Sequence, residues 1–149
     1  MMPTTFEVGD VLPRLEHTAT PLQLFRYSAV TWNPHRIHFD ERYAREEGHA
    51  GVALHSHLRA ALALRVVTEG LGPEWRVATV AYRLRQPVYA PVELAYSARV
   101  TDVEGDAMTL ELSEQQPSGQ VGFEGTVRVT RTGAADTNGR PAATAGAGA

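Results

Sequence analysis

The chain contains no cysteine. Disulfide frameworks, thiol nucleophiles and thiolate metal sites are therefore excluded, and a cysteine-free chain suits the cytoplasm. Basic residues are not in excess: 14 Lys and Arg face 17 Asp and Glu, for a formal net charge of -3. The basic face that nucleic-acid binding requires has no support in this composition. Long apolar runs are also missing. The best of them, residues 58–71, carries Arg59, Arg65 and Glu69, and is too short and too charged to span a bilayer. The opening Met1-Met2-Pro3-Thr4-Thr5 has no basic segment leading into an apolar core, so no secretory signal is read there. What remains is ordinary for a globular protein: 149 residues, 43% hydrophobic and 21% charged, enough for one domain with a sizeable core.

Residues 132–149 read TGAADTNGRPAATAGAGA. They hold no large apolar side chain to offset the entropy of ordering. A disordered Gly/Ala-rich tail is expected there, leaving a single domain over residues 1–131.

The first half has helical signals. Thr20 and Pro21 make an N-cap and first turn for a helix over residues 21–32. A short helix is expected over residues 41–47, ending at Gly48. The strongest pattern covers residues 58–71, apolar on nearly every face and so buried on most sides. Ser56 is placed to cap it, and Gly70, Gly72 and Pro73 stop it.

In the second half the period changes to two. Four half-buried strands are predicted over residues 78–85, 92–101, 108–113 and 121–130, separated by turn residues at Pro87 and Pro91, Glu104-Gly105-Asp106 and Pro117-Ser118-Gly119. An early strand near residues 14–18 can complete the sheet. One buried helix followed by an antiparallel meander packs by curling the sheet around the helix. The fold class predicted is α+β, a hotdog fold.

Chemistry concentrates in one place. Five of the six histidines fall between His35 and His57. Histidine titrates nearest neutral pH, so this clustering points to acid–base or metal chemistry. His35-x-x-His38 and His55-x-His57 together offer four ring nitrogens, which keeps a metal site in view. Against it, residues two apart at a helix start diverge by about 200°, and no metal is expected.

The run Tyr27-Ser28-Ala29-Val30-Thr31-Trp32-Asn33-Pro34-His35-Arg36-Ile37-His38-Phe39-Asp40, with Ala44 beyond it, resembles the signature of MaoC-like, hydratase-2 enoyl-thioester hydratases and dehydratases. It is most similar to the branch with Asn-x-His-x-x-His. The segment from Gly48 to Ser56 resembles that family's approach to its central helix, and Gln86-Pro87-Val88-Tyr89 a strand-end proline motif. The resemblance implies reversible addition of water across the 2,3 double bond of an acyl-CoA or acyl-carrier-protein thioester, with an (R)-3-hydroxy product. It implies a homodimer or a heteromer with another hotdog subunit, and no metal or redox cofactor.

The reaction needs a proton carrier, a group that holds water, and fixed donors for the thioester carbonyl oxygen. His38 is expected as base and acid, and Asn33 as the water-holding partner. The helix start at Ser56, His57 and Leu58 supplies the donors. Substrate contacts are expected from His55, Ser56, His57, His35 and Arg36. Bland roles stand beside these. Asn33 before Pro34 suits a turn, His35 can lock its loop, Asp40 can cap the next helix, Arg36 can be a solvated surface residue, and His55 can be packing.

Two departures from the commoner pattern stand out: asparagine replaces aspartate at position 33, and His55-Ser56 replaces His-Gly. Both suit a second reading, a non-catalytic hotdog subunit supporting a catalytic partner. A thioesterase shares the fold, but the Asn-x-His-x-x-His pattern disfavours it.

Overall fold

The computed structural model describes residues 5–133. Of the expected tail, residues 134–149 lie outside the described residues.

Alternation and turn residues produce the sheet. The strands are β1 (Leu15–Ala19), β3 (Trp75–Leu84), β5 (Val92–Glu104), β6 (Ala107–Gln115) and β7 (Val121–Arg131), in the spatial order β1-β5-β6-β7-β3, all paired antiparallel. A second ladder pairs two short strands, β2 (Val52–Ala53) and β4 (Tyr89–Ala90). Two residues are too few to show alternation, so this ladder is invisible to the period of the sequence. The helices are α1 (Pro21–Val30), α2 (Glu41–Glu46) and α3 (Ser56–Leu71).

Local chemistry sets the ends of the helices. Thr20 caps α1 by accepting from the Gln23 amide, and Pro21 begins it. Asp40 caps α2 by accepting from the Tyr43 amide at 3.0 Å. The cap of α3 differs from expectation. The N-cap is His55, which makes no side-chain capping bond, and Ser56 is the first helical residue. Gly72 ends α3 at φ 90°, a backbone that L side chains rarely adopt.

The core lies between α3 and the inward face of the sheet. Leu58, Leu62, Ala63, Val66 and Val67 of α3 are buried with Leu94, Tyr96, Ala98, Val100, Met108, Leu110, Leu112, Phe123 and Val127. Strands β5 and β6 follow the predicted alternation. Strand β3 does not. Val80, Tyr82 and Leu84 are exposed on β3, which is a sheet edge paired with β7 among the described residues. A bulge between Val77 and Thr79 also breaks its register.

The inward phase of β6 continues from Leu112 to Glu114, so a carboxylate enters the core. It meets Arg59 of α3, whose Nε and Nη2 donate to Glu114 Oε2 and Oε1 at 3.0 and 2.6 Å. Tyr96 Oη donates to Glu114 Oε2 at 2.8 Å. Arg59 also donates to the carbonyls of Gln86 at 2.9 Å and Gly122 at 2.5 Å. Burial and the adjacent carboxylate hold the Tyr96 phenol well above its ordinary pKa. Taking both charges out of water is costly, and the five hydrogen bonds offset that cost. Breaking the pair from one side leaves a buried charge alone. Glu114→Ala is therefore expected to lose about 3–5 kcal/mol in denaturant unfolding. Gly122→Ala is also expected to destabilise, because its Cβ would stand 2.6 Å from Glu114 Oε1 and 2.7 Å from Arg59 Nη2. Midpoints unchanged in both variants would contradict this account of the core.

Candidate active site

The site grows out of the loop between α1 and α2. Trp32, at φ 51°, turns the chain out of α1. Asn33 then closes a small turn, its Oδ1 accepting from the His35 amide at 3.3 Å. His35 opens a single 3-10 turn (Arg36–His38), with its Nδ1 accepting from the Ile37 amide at 3.4 Å. This turn buries the His38 side chain beneath the loop.

His38 is fixed on two sides. Its Nδ1 lies 2.7 Å from the carbonyl oxygen of Ala53 in β2. A carbonyl only accepts, so Nδ1 carries the proton and Nε2 keeps its lone pair. Its ring lies flat on that of His55, with centroids 3.7 Å apart and planes 18° apart. His55 is 1% exposed. Its Nε2 is 2.8 Å from Ser28 Oγ of α1, and its Nδ1 is buried with no hydrogen-bond partner. The Tyr27 ring meets His55 edge-on at 4.8 Å.

Electrostatics separate the two imidazoles. Burial lowers the His38 pKa, the Ala53 carbonyl opposes this by favouring the protonated ring, and His35 and His49 lower it further. Burial pushes His55 down to about 4, with help from His38 and His57. His55 is therefore neutral near pH 7.

His38 lines a cavity of about 400 Å³ with Ser56, Arg59, Ala53, Leu54 and Gln86 among its walls. The first turn of α3 enters this wall at Ser56. The first amides of a helix have no partner within it, and no side chain caps these. The cavity is thus lined by an imidazole and by the first residue of α3, where the helix dipole has its positive end.

The remaining candidates are placed as follows. Asn33 lines a separate apolar pouch of about 150 Å³ with Phe25, Ser28, Trp32 and Phe39. Asn33 and His38 thus line different pockets of the described residues. Ser28, which lines the Asn33 pouch, is hydrogen-bonded to His55, and His55 is stacked on His38. The ring of His35 is 6.1 Å from that of His38. Arg36 is exposed, ion-paired to Asp40 at 2.6 Å and stacked over Tyr43. His55 is buried behind His38 and does not line the cavity, and His57 is exposed. Among the described residues, no group of three or more His, Cys, Asp or Glu is placed to hold a metal ion.

Ser28, Ala53, Arg59 and Glu114 were not singled out from the sequence. Ser28 stands inside the quoted motif, and the phase of β6 marks Glu114. The Ala53 carbonyl leaves no trace in side-chain identity.

A curved antiparallel sheet around one buried helix is the hotdog fold. The family model for hydroxyacyl-thioester dehydratase type 2 matches residues 8–90, and the chain belongs to that family. A mesaconyl-C(4)-CoA hydratase from Chloroflexus aurantiacus is 32% identical over 130 residues, covering 85% of this chain and 44% of that protein. This chain thus spans less than half the length of that relative. The beta subunit of a 3-oxo-4,17-pregnadiene-20-carboxyl-CoA hydratase from Mycobacterium tuberculosis is 27% identical over 105 residues, 70% of this chain and 81% of that one. In structure, a chain of the ChsH1-ChsH2 complex from Mycobacterium tuberculosis superposes with a TM-score of 0.80 at 24% identity, over 86% of this chain and 100% of that chain.

The lowered imidazole pKa values make stability depend on pH. An unfolded histidine takes up a proton near 6.5, whereas folded His55 resists protonation down to about 4. Between those values the unfolded state binds more protons, so stability falls as pH falls. The melting temperature is expected to drop between about pH 7 and about pH 5, and His55→Phe to flatten that drop. An identical slope in the variant would show that His55 is not the group responsible.

Proposed function

We propose that the chain is an (R)-specific enoyl-thioester hydratase and 3-hydroxyacyl-thioester dehydratase, acting on a 2-enoyl-CoA or acyl-carrier-protein thioester in the cytoplasm. One observation carries the reading. His38, with Nδ1 committed to the Ala53 carbonyl and Nε2 basic, shares a cavity with the uncapped start of α3. Family membership and the two hydratase relatives support it. The absence of cysteine suits the cytoplasm, and no described helix is long and apolar enough to cross a membrane.

In the hydration direction, His38 Nε2 accepts a proton from water as the water oxygen bonds to C3 of the enoyl group. Negative charge moves to the thioester oxygen, where the backbone N–H groups of Ser56, His57 and Leu58 receive it. The His38 imidazolium then returns the proton to C2, and the neutral hydroxyacyl thioester results. Dehydration runs the same steps backwards. In this reading Asn33 holds the His35 backbone, and so the shape of the loop, while His38 itself orients the water. His38→Ala is expected to cut enoyl-CoA hydration by about 10²–10⁴-fold without loss of folded structure, followed as decay of the conjugated enoyl absorbance. A variant as active as the unaltered protein would remove His38 from the mechanism.

A second reading, a hotdog subunit that supports a catalytic partner, is favoured by the separation of Asn33 from His38. Turnover by the purified chain alone discriminates: activity alone supports the first reading, and activity with a partner hotdog only supports the second.

Either reading calls for a subunit partner, and the edge of β3 is where we place it. An open edge with exposed Val80, Tyr82 and Leu84 invites strand pairing. The relative described as a beta subunit and the two-component ChsH1-ChsH2 complex support a second subunit at hand. Sedimentation is expected to show a dimer of the purified chain, and Val80→Pro to yield monomer, since proline cannot pair at a strand centre. A dimer that survives Val80→Pro would place the interface elsewhere.

A further inference from the structure

His55 takes no part in the proton transfers above, yet it is among the most completely buried polar side chains of the protein, 1% exposed at the cap of α3. A cap histidine that makes no capping bond has another reason for its position. Its Nε2 is held by Ser28 Oγ at 2.8 Å, and Ser28 is itself buried. Its ring covers one face of His38 at 3.7 Å, and Tyr27 closes its own edge. The contacts form a line from α1 through Ser28 and His55 to His38, and on to the Ala53 carbonyl of β2.

We infer that His55 is a positioning residue: anchored by Ser28, it is the flat support that fixes the plane of the His38 ring and keeps water from one of its faces. The inference rests on reading His38 as the acid–base group of the site. The support must stay uncharged to work, since two stacked imidazolium rings repel. Burial secures that, holding His55 near 4 and so uncharged near neutral pH. His35 and His49 act on His38 from its own loop and from beyond α2. Arg59 of α3 and Arg85 after β3 line the cavity, each ion-paired, to Glu114 and Glu124. Tyr27 from α1 and His57 from α3 act on His55.

The test is a titration of the His38 ring protons by NMR, run beside steady-state kinetics on a trans-2-enoyl-CoA. His55→Phe keeps a flat ring over His38, and His55→Ala removes it. With alanine, water reaches the His38 face, its proton affinity rises, and the low-pH limb of kcat/KM moves to higher pH. With phenylalanine the titration stays where it is in the unaltered protein. In the alanine variant kcat is expected to fall about 10–100-fold, with KM changed far less. Ser28→Ala deletes one hydroxyl, so it guards against a misfolded alanine variant. It is expected to lower kcat several-fold and to shift the limb in the same direction. An unmoved titration and rate in both Ser28→Ala and His55→Ala would overturn the inference. So would a shift with phenylalanine as large as with alanine. The NMR arm needs no turnover: a protein without hydratase activity that still shows the alanine shift would refute the proposed function and leave the positioning role intact.

Discussion

The hydrogen bond from His38 Nδ1 to the Ala53 carbonyl is the contact on which the site depends. It fixes the tautomer, so the ring presents a basic Nε2. It also ties the α1–α2 loop to β2, the strand that leads into α3. Loop and helix start are thereby set against each other, and the cavity between them inherits both a proton acceptor and free backbone donors. The fold itself explains why such a contact exists. Among the described residues β2 pairs with the two-residue β4 alone, so carbonyls on its far side are open to a side chain.

Beneath the cavity a different interaction holds the walls. Arg59 joins α3 to β6 through Glu114, to β7 through the Gly122 carbonyl, and to the segment before β4 through the Gln86 carbonyl. A buried pair of this kind is a poor source of net stability. Its worth lies in geometry: a guanidinium with fixed donors ties the first turns of α3 to the Gln86 segment, and both line the cavity. The apolar core sets the fold, and this polar knot sets where the mouth of the helix sits within it.

Much of this was legible in the sequence, and the reasons are local. Thr20-Pro21 and Asp40 are strong helix-start signals, and both cap as read. The alternation in β5 and β6 is clean because one face is covered by α3 and the other is solvated. Failure came where tertiary context decides. Val80, Tyr82 and Leu84 alternate like buried residues, yet they stand exposed at an open edge. Ser56 has the chemistry of a cap, but the chain enters α3 one residue earlier, at His55. The histidine cluster singled out the segment between His35 and His57, and spacing alone did not reveal its arrangement. His38 and His55 are 17 residues apart and stack, while Asn33 and His38 are five apart and face different cavities. A loop that changes direction at Trp32 and again at the 3-10 turn scrambles any inference from sequence distance.

The central claim is that the carbonyl-polarising helix start and the basic nitrogen of His38 act on one bound thioester. A structure with a non-reactive enoyl-thioester analogue tests this most directly. The account places the thioester oxygen within hydrogen-bond reach of the backbone N–H groups of Ser56, His57 or Leu58, and C2 or C3 against His38 Nε2. An analogue seated in the Asn33 pouch or on the outer face of the sheet, with His38 Nε2 touching none of its reacting atoms, would contradict it.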